Sequence, residues 1–295
     1  MYLYTWYQWL LFFFIYCFFG WIIESTYVSL KNFHFVNRGF LRLPLLPLYG
    51  NGAIIMLWVS LPVKGNLFLV FLFGMAGASV LEYATGYVME RLFKMKYWDY
   101  SSKPLNLNGY VCLGTSIAWG FLTLLLTEVI HRPLEWLVLD LKGTVCIALV
   151  IVIGILFVLD AIHSTKEALD LGRVLESMTK LKSELEEVQV QLALLKAETA
   201  QKVSEIKMET MQKAVSLKDE TMVKISSLKA ETTNALKEST LAERLQSLTE
   251  TKEKLSGRLT SYRKGILRRN PTASSRLFGE ALKELKEYSK RYKKP

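Results

Sequence analysis

The sequence predicts an all-α protein, a polytopic membrane helix bundle of five spans followed by a long cytoplasmic helical coiled-coil stalk. Three observations lead there. Residues 1–164 carry only 10 basic and 8 acidic side chains, whereas residues 165–295 carry 27 and 19. Uncharged apolar stretches near the length a bilayer demands, about 20 residues, recur before Ser164. Beyond them, the chain from Leu195 to Glu238 repeats every eleven residues without a gap. The chain therefore divides into a five-span transmembrane domain (1–164), a helical stalk (165–256) and a basic C-terminal segment (257–295).

The spans are expected at Trp6–Leu30, Leu45–Leu61, Leu67–Met89, Tyr110–Ile130 and Gly143–Ile162. No Lys or Arg precedes Lys31, so the positive segment of a cleavable signal is missing and the first span is expected to be retained. Basic residues near span ends collect on the cytoplasmic side. Lys31, Arg38, Arg42, Arg91, Lys94, Lys96 and Lys103 follow spans one and three, against Lys64, Arg132 and Lys142 on the opposite side. The protein is accordingly expected as a multi-pass cell-membrane protein, with its N-terminus outside and its stalk in the cytoplasm.

Polar residues gather at one level of this bundle. Glu82 lies 15 residues beyond Leu67, roughly 22 Å along a helix, and Glu24 lies 18 beyond Trp6, roughly 27 Å. Both reach the cytoplasmic boundary. Gly74, Ala78, Glu82 and Thr85 share one helix face, and small residues at that spacing let helices approach closely. Glu82 is thus expected to face protein. A matching stripe, Cys112, Ser116, Gly120, Thr123 and Thr127, offers hydroxyls and close approach on span four.

Two cytoplasmic connections complete the layer. One brings Arg38 and Tyr49, the other Trp98, Asp99, Tyr100, Asn106 and Asn108. With Glu24 and Glu82 these form the candidate substrate-binding set, combining carboxylates, a guanidinium, amides and aromatic rings as a headgroup or small-molecule pocket requires. The same residues admit an architectural role, in which Arg38 neutralises a carboxylate, Trp98 and Tyr100 join the interfacial aromatic belt, and Asn106 and Asn108 shape a turn. Both alternatives stay open at this point.

The segments Gly20–Ser25 (GWIIES), Asn37–Ala53 (NRGFLRLPLLPLYGNGA) and Glu82–Gly120 (EYATGYVMERLFKMKYWDYSSKPLNLNGYVCLGTSIAWG) carry a resemblance. Together they resemble the CmpB-like family of bacterial membrane proteins, named ABC-transporter type IV. The resemblance implies a permease-like subunit working with a separate cytoplasmic ATPase. The chain itself has no Gly-rich loop ending in Gly-Lys-Ser/Thr to cradle ATP phosphates.

An eleven-residue period equals 3.67 residues per turn, which favours a straight or slightly right-handed coil. Leu195, Ile206, Leu217 and Leu228 occupy its first position, and Glu198–Lys202, Glu209–Lys213 and Glu220–Lys224 are helix-supporting pairs of roughly 0.2–0.5 kcal/mol each. Gly and Pro are absent between Gly172 and Gly257. One unbroken helix over 165–256, about 140 Å long, is therefore expected, self-associating because its 15 basic and 16 acidic residues give no attraction to anionic lipid. Residues 257–295, with 12 basic and 3 acidic side chains, read as a flexible joint (YRKGILRRNP) and a short helix. Their expected partners are anionic lipid, an acidic protein surface or, ranked last, nucleic acid.

No metal or other cofactor is expected, because His34, His131 and His163 are scattered and Cys17, Cys112 and Cys146 sit singly in apolar runs. Three functions remain open. The first is a permease-like subunit with a polar inner-leaflet pocket. The second is a membrane enzyme acting on a lipid headgroup or polyprenyl substrate. The third is a non-catalytic anchor that presents the stalk.

Overall fold

A computed structural model describes residues 4–212, 220–257 and 261–291. Two compact units emerge, Met1–Arg173 with Thr260–Pro295, and Val174–Leu259. The first unit is built on α1 (Trp6–Asn32), α2 (Pro47–Ser60, continued by a 3-10 turn to Val63), α3 (Leu67–Phe93), α4 (Leu113–Leu125) and α5 (His131–Asp140). A π-helical stretch, Leu126–Ile130, joins the last two.

Local chemistry sets the helix starts. The Gln8 side chain accepts the Thr5 N–H at 2.9 Å ahead of α1, and the Asn66 side chain accepts the Phe68 and Leu69 amides at 3.0 and 3.2 Å ahead of α3. Pro47 opens α2, where its missing N–H costs no hydrogen bond. Asn108 and Gly109 both take positive φ in the turn of a small hairpin between β1 (Asn106–Leu107) and β2 (Val111–Cys112), a conformation this residue pair tolerates.

Four helices are long and apolar enough to cross a membrane: Trp6–Asn32, Leu67–Phe93, Leu113–Asp140 and Gly143–Glu205. The fourth expected span therefore runs ten residues beyond Ile130. The second expected span is an apolar helix over Pro47–Val63 that falls below this length, about 25 Å against a hydrocarbon core of about 30 Å. It still traverses the bundle antiparallel to α1. Its Tyr49 meets Glu24 near one end of α1, while Trp58 packs edge-on to Trp9 near the other, with ring centroids 5.9 Å apart.

The core centres on Phe12, Tyr16, Met56, Leu57, Ala78, Trp119 and Leu126. The two expected small-residue stripes meet here. A Cβ on Gly74 would lie 2.1 Å from Thr123 Oγ1, and Ser79 donates to Ser116 at 2.7 Å, so α3 and α4 approach at backbone distance. At the opposite end from Glu82, the buried His131 ring bonds the Tyr4 and Tyr16 hydroxyls at 3.0 and 2.7 Å. These bonds tie the start of α1 to α5. The three cysteines are buried free thiols.

From Gly143 a single helix, α6, continues to Gln212. Its first-unit portion offers two carboxylates seven residues apart on one face. Asp160 accepts the Arg42 and Leu43 amides, both at 2.8 Å. Glu167, fully buried, accepts the Ile266 amide at 3.1 Å and pairs with Arg42 at 3.2 Å and Arg269 at 3.1 Å. They fasten two segments remote in sequence.

Those contacts correct the expectation of a flexible joint. Within YRKGILRRNP the chain forms α8 (Ser261–Arg269), and Ile266 and Leu267 are buried. Lys96 and Ser274 then exchange backbone hydrogen bonds at 2.8 and 3.0 Å, and α9 (Gly279–Arg291) buries Leu282 and Leu285 while Leu277 stays exposed.

In the second unit the single unbroken helix is also corrected. Helix α6 is described to Gln212, and α7 (Glu220–Gly257) follows it in the chain. Lys196 Nζ lies 3.4 Å from the Glu238 carboxylate, although one straight helix would hold them about 60 Å apart. The two helices therefore meet at this pair instead of continuing as one straight rod. Repeat side chains at 206–207, 209–231 and 233–234 fall outside the described residues, and with them most of the expected seam.

Candidate functional site

Where α1 and α3 end and α2 and α4 begin, the first unit holds a half-open cavity of about 320 Å³. Glu24, Arg38, Tyr49, Glu82, Trp98 and Tyr100 of the expected set all line it. Asp99, Asn106 and Asn108 do not. The structure explains why those three separate. Asp99 turns to Ser101, Ser274 and Lys96. Asn106 donates to the Ser101 and Lys103 carbonyls and accepts the Gly109 amide, and Asn108 donates to the Tyr83 hydroxyl. They organise the hairpin and its flanks.

Arg38 is buried at the loop between α1 and α2, and each of its three guanidinium nitrogens has a protein partner. Nε points at Glu24 Oε1 at 3.5 Å, Nη1 donates to Asn270 Oδ1 at 2.7 Å, and Nη2 donates to the Tyr97 carbonyl at 2.9 Å. The Ser25 hydroxyl, one residue beyond Glu24 on α1, accepts the Arg38 amide at 3.1 Å. One turn of α1 therefore fixes both charges.

Glu24 accepts a second bond from the Tyr49 hydroxyl at 3.1 Å. That phenol is placed by helix contact, since a Cβ on Gly20 would sit 2.2 Å from Tyr49 Cβ. Across the cavity, Glu82 is buried on α3. Its Oε1 accepts the Tyr100 hydroxyl at 3.3 Å and its Oε2 accepts the Trp119 indole N–H at 3.0 Å. Trp119 and Tyr49 pack with ring centroids 5.4 Å apart, which closes the wall between the two carboxylates.

Burial, then the charges of Glu82 and Glu24, push the Tyr100 phenol above its usual range, so it remains a donor. Burial does the same to Tyr97, whose hydroxyl has no hydrogen-bond partner among the described residues. Burial of Asp99 opposes its charge, but hydrogen bonds from Ser101 and Ser274 and the Lys96 ammonium hold it below the usual carboxylate range. A second cavity, about 280 Å³ and lined by Phe19, Ile22, Ile23, Met56 and Leu126 among others, adjoins the first at Tyr49.

With the geometry in view, the sequence signature of the family described as "Putative ABC-transporter type IV" (CmpB) matches residues 11–165. The chain belongs to this family. No curated protein and no solved structure matches it. In this CmpB-family chain the match takes in every cavity residue from Glu24 to Trp119, while Asn270 lies outside it.

Sequence reasoning misses Trp119, Tyr97 and Asn270. Trp119 carries a signal, because it lies three residues beyond Ser116 of the small-residue stripe, close to one helical turn. Asn270 carries none, since only the return of the chain through α8 brings it to Arg38.

Proposed function

We propose that this CmpB-family protein is a five-span, permease-like subunit that holds its substrate in the cavity between Glu24, Arg38 and Glu82. The fifth span is α2, a short apolar helix that crosses the bundle. The cavity opens at the inner leaflet, with the N-terminus outside and the C-terminal segment in the cytoplasm, as the seven-to-three distribution of basic residues favours. A separate ATPase supplies hydrolysis, because this chain has no phosphate-cradling loop.

One observation carries the proposal. Three charged side chains from separate parts of the chain line one cavity of about 320 Å³, a size within the range of small-molecule sites, and ionisable groups are costly near a bilayer unless they serve a site or a partner. The docking of the C-terminal segment onto this same site disfavours a bare anchor, whose tail would have no reason to bond Arg38.

Affinity purification from native membranes in mild detergent tests it. A stoichiometric ATPase that is lost when residues 165–295 are deleted is the expected result. Recovery of the chain without any nucleotide-hydrolysing partner, under conditions that preserve other membrane complexes, contradicts it.

A further inference from the structure

The charge of the cavity and the partners of each group narrow the substrate. We propose that the cavity takes an organic cation, an amine or quaternary ammonium group, an inference that rests on the cavity being a substrate site. Among the described residues Arg38 is the one basic residue in the lining, and its three nitrogens already donate to Glu24, Asn270 and Tyr97. It has no free fork with which to grip a phosphate or carboxylate. Its charge is matched by Glu24.

Glu82 is left over. It is 4% exposed, and its two oxygens lie within hydrogen-bond reach of neutral groups only, the Tyr100 hydroxyl and the Trp119 indole N–H. Among the described residues it makes no ion pair. Keeping a buried carboxylate ionised without a counter-charge is costly, and a cation in the cavity stabilises the ionised form.

The walls select the kind of cation. Calcium takes six to eight oxygen ligands, and here most of the lining is aromatic or aliphatic. Tyr49, Trp98, Tyr100 and Trp119 surround the space beside Glu82, and aromatic faces combined with a carboxylate are how proteins hold alkylammonium groups. The apolar cavity that shares Tyr49 offers room for a chain attached to that head.

Isothermal titration of the full-length protein in nanodiscs, at fixed ionic strength, tests the inference with tetramethylammonium, butyltrimethylammonium and butyl phosphate. One saturable ammonium site is expected, weakened at least tenfold by Glu82→Gln and removed by Thr85→Trp, which fills the cavity. Should Glu82→Gln fail to fold, Glu24→Gln at its half-buried position is expected to weaken binding several-fold. Tighter binding of the butyl compound points to an amphiphile, and equal binding to a free amine. Ammonium binding unchanged by Glu82→Gln overturns the inference. Binding of butyl phosphate alone, abolished by Thr85→Trp, overturns the cation while leaving the substrate site standing. Absence of ammonium binding overturns the cation inference.

Discussion

Arg38 and Asn270, 232 residues apart in sequence, are joined by a 2.7 Å hydrogen bond from Nη1 to Oδ1. Asn270 also donates to the Gly39 and Ile266 carbonyls, each at 3.0 Å. One buried amide thus stitches the loop that carries the guanidinium to the end of α8. Removing it in Asn270→Ala leaves a buried donor on a charged group and a backbone acceptor unpaired, a loss of about 1–3 kcal/mol. A lower melting temperature in detergent and faster proteolysis after Arg268 are the expected readouts.

Glu167 holds the same junction from the other side. It is fully buried against Arg42, Arg269 and the Ile266 amide. Glu167→Gln removes the shared counter-charge, and breaking one partner of a buried ion pair costs about 3–5 kcal/mol. Hydrogen exchange should rise across 265–274 while α1 to α4 keep their protection. An unchanged exchange pattern would show that Glu167 does not secure the C-terminal segment.

The contact between α3 and α4 predicts an asymmetric pair of substitutions. Gly74→Val drives a side chain into Thr123, whose Oγ1 and Cβ lie 2.1 and 2.4 Å from where the new Cβ would sit, so folded yield should collapse. Thr123→Gly opens the facing surface and should restore part of that yield in the double variant. Fluorescence-detected size exclusion reads both.

Acid should loosen the segment around Ser274 from Lys96 and Asp99. Asp99 bonds the Ser274 hydroxyl at 2.7 Å and lies 3.6 Å from Lys96 Nζ, and its carboxyl sits below the usual range when docked. A depressed value means the contribution is present above the ordinary carboxylate value, about 3.9, and is lost as pH falls through the docked-state value. Spin labels at Ser102 and Leu277 should separate on acidification, and Asp99→Asn should flatten that dependence.

Much of the cavity is legible in the sequence because depth along an apolar helix is simple arithmetic. Glu24 and Glu82 fall at one level on α1 and α3, and the loops carrying Arg38, Trp98 and Tyr100 return to that level. Proximity in sequence groups Asp99, Asn106 and Asn108 with them, but local turn chemistry satisfies those three first. The roles of Glu167 and Asn270 are hidden for another reason. Both depend on residues 266–270 meeting residues about 100 and 230 positions earlier, and no glycine or proline between Gly172 and Gly257 announces that return.

The central claim is that the space between Glu24, Arg38 and Glu82 holds a ligand in the native membrane. Native mass spectrometry of the protein released directly from membrane vesicles measures this, with Thr85→Trp as the comparison. A discrete added mass on the unaltered chain, absent from the filled variant at equal folded yield, is the predicted result. Identical spectra for the two proteins, with or without an adduct, would contradict it.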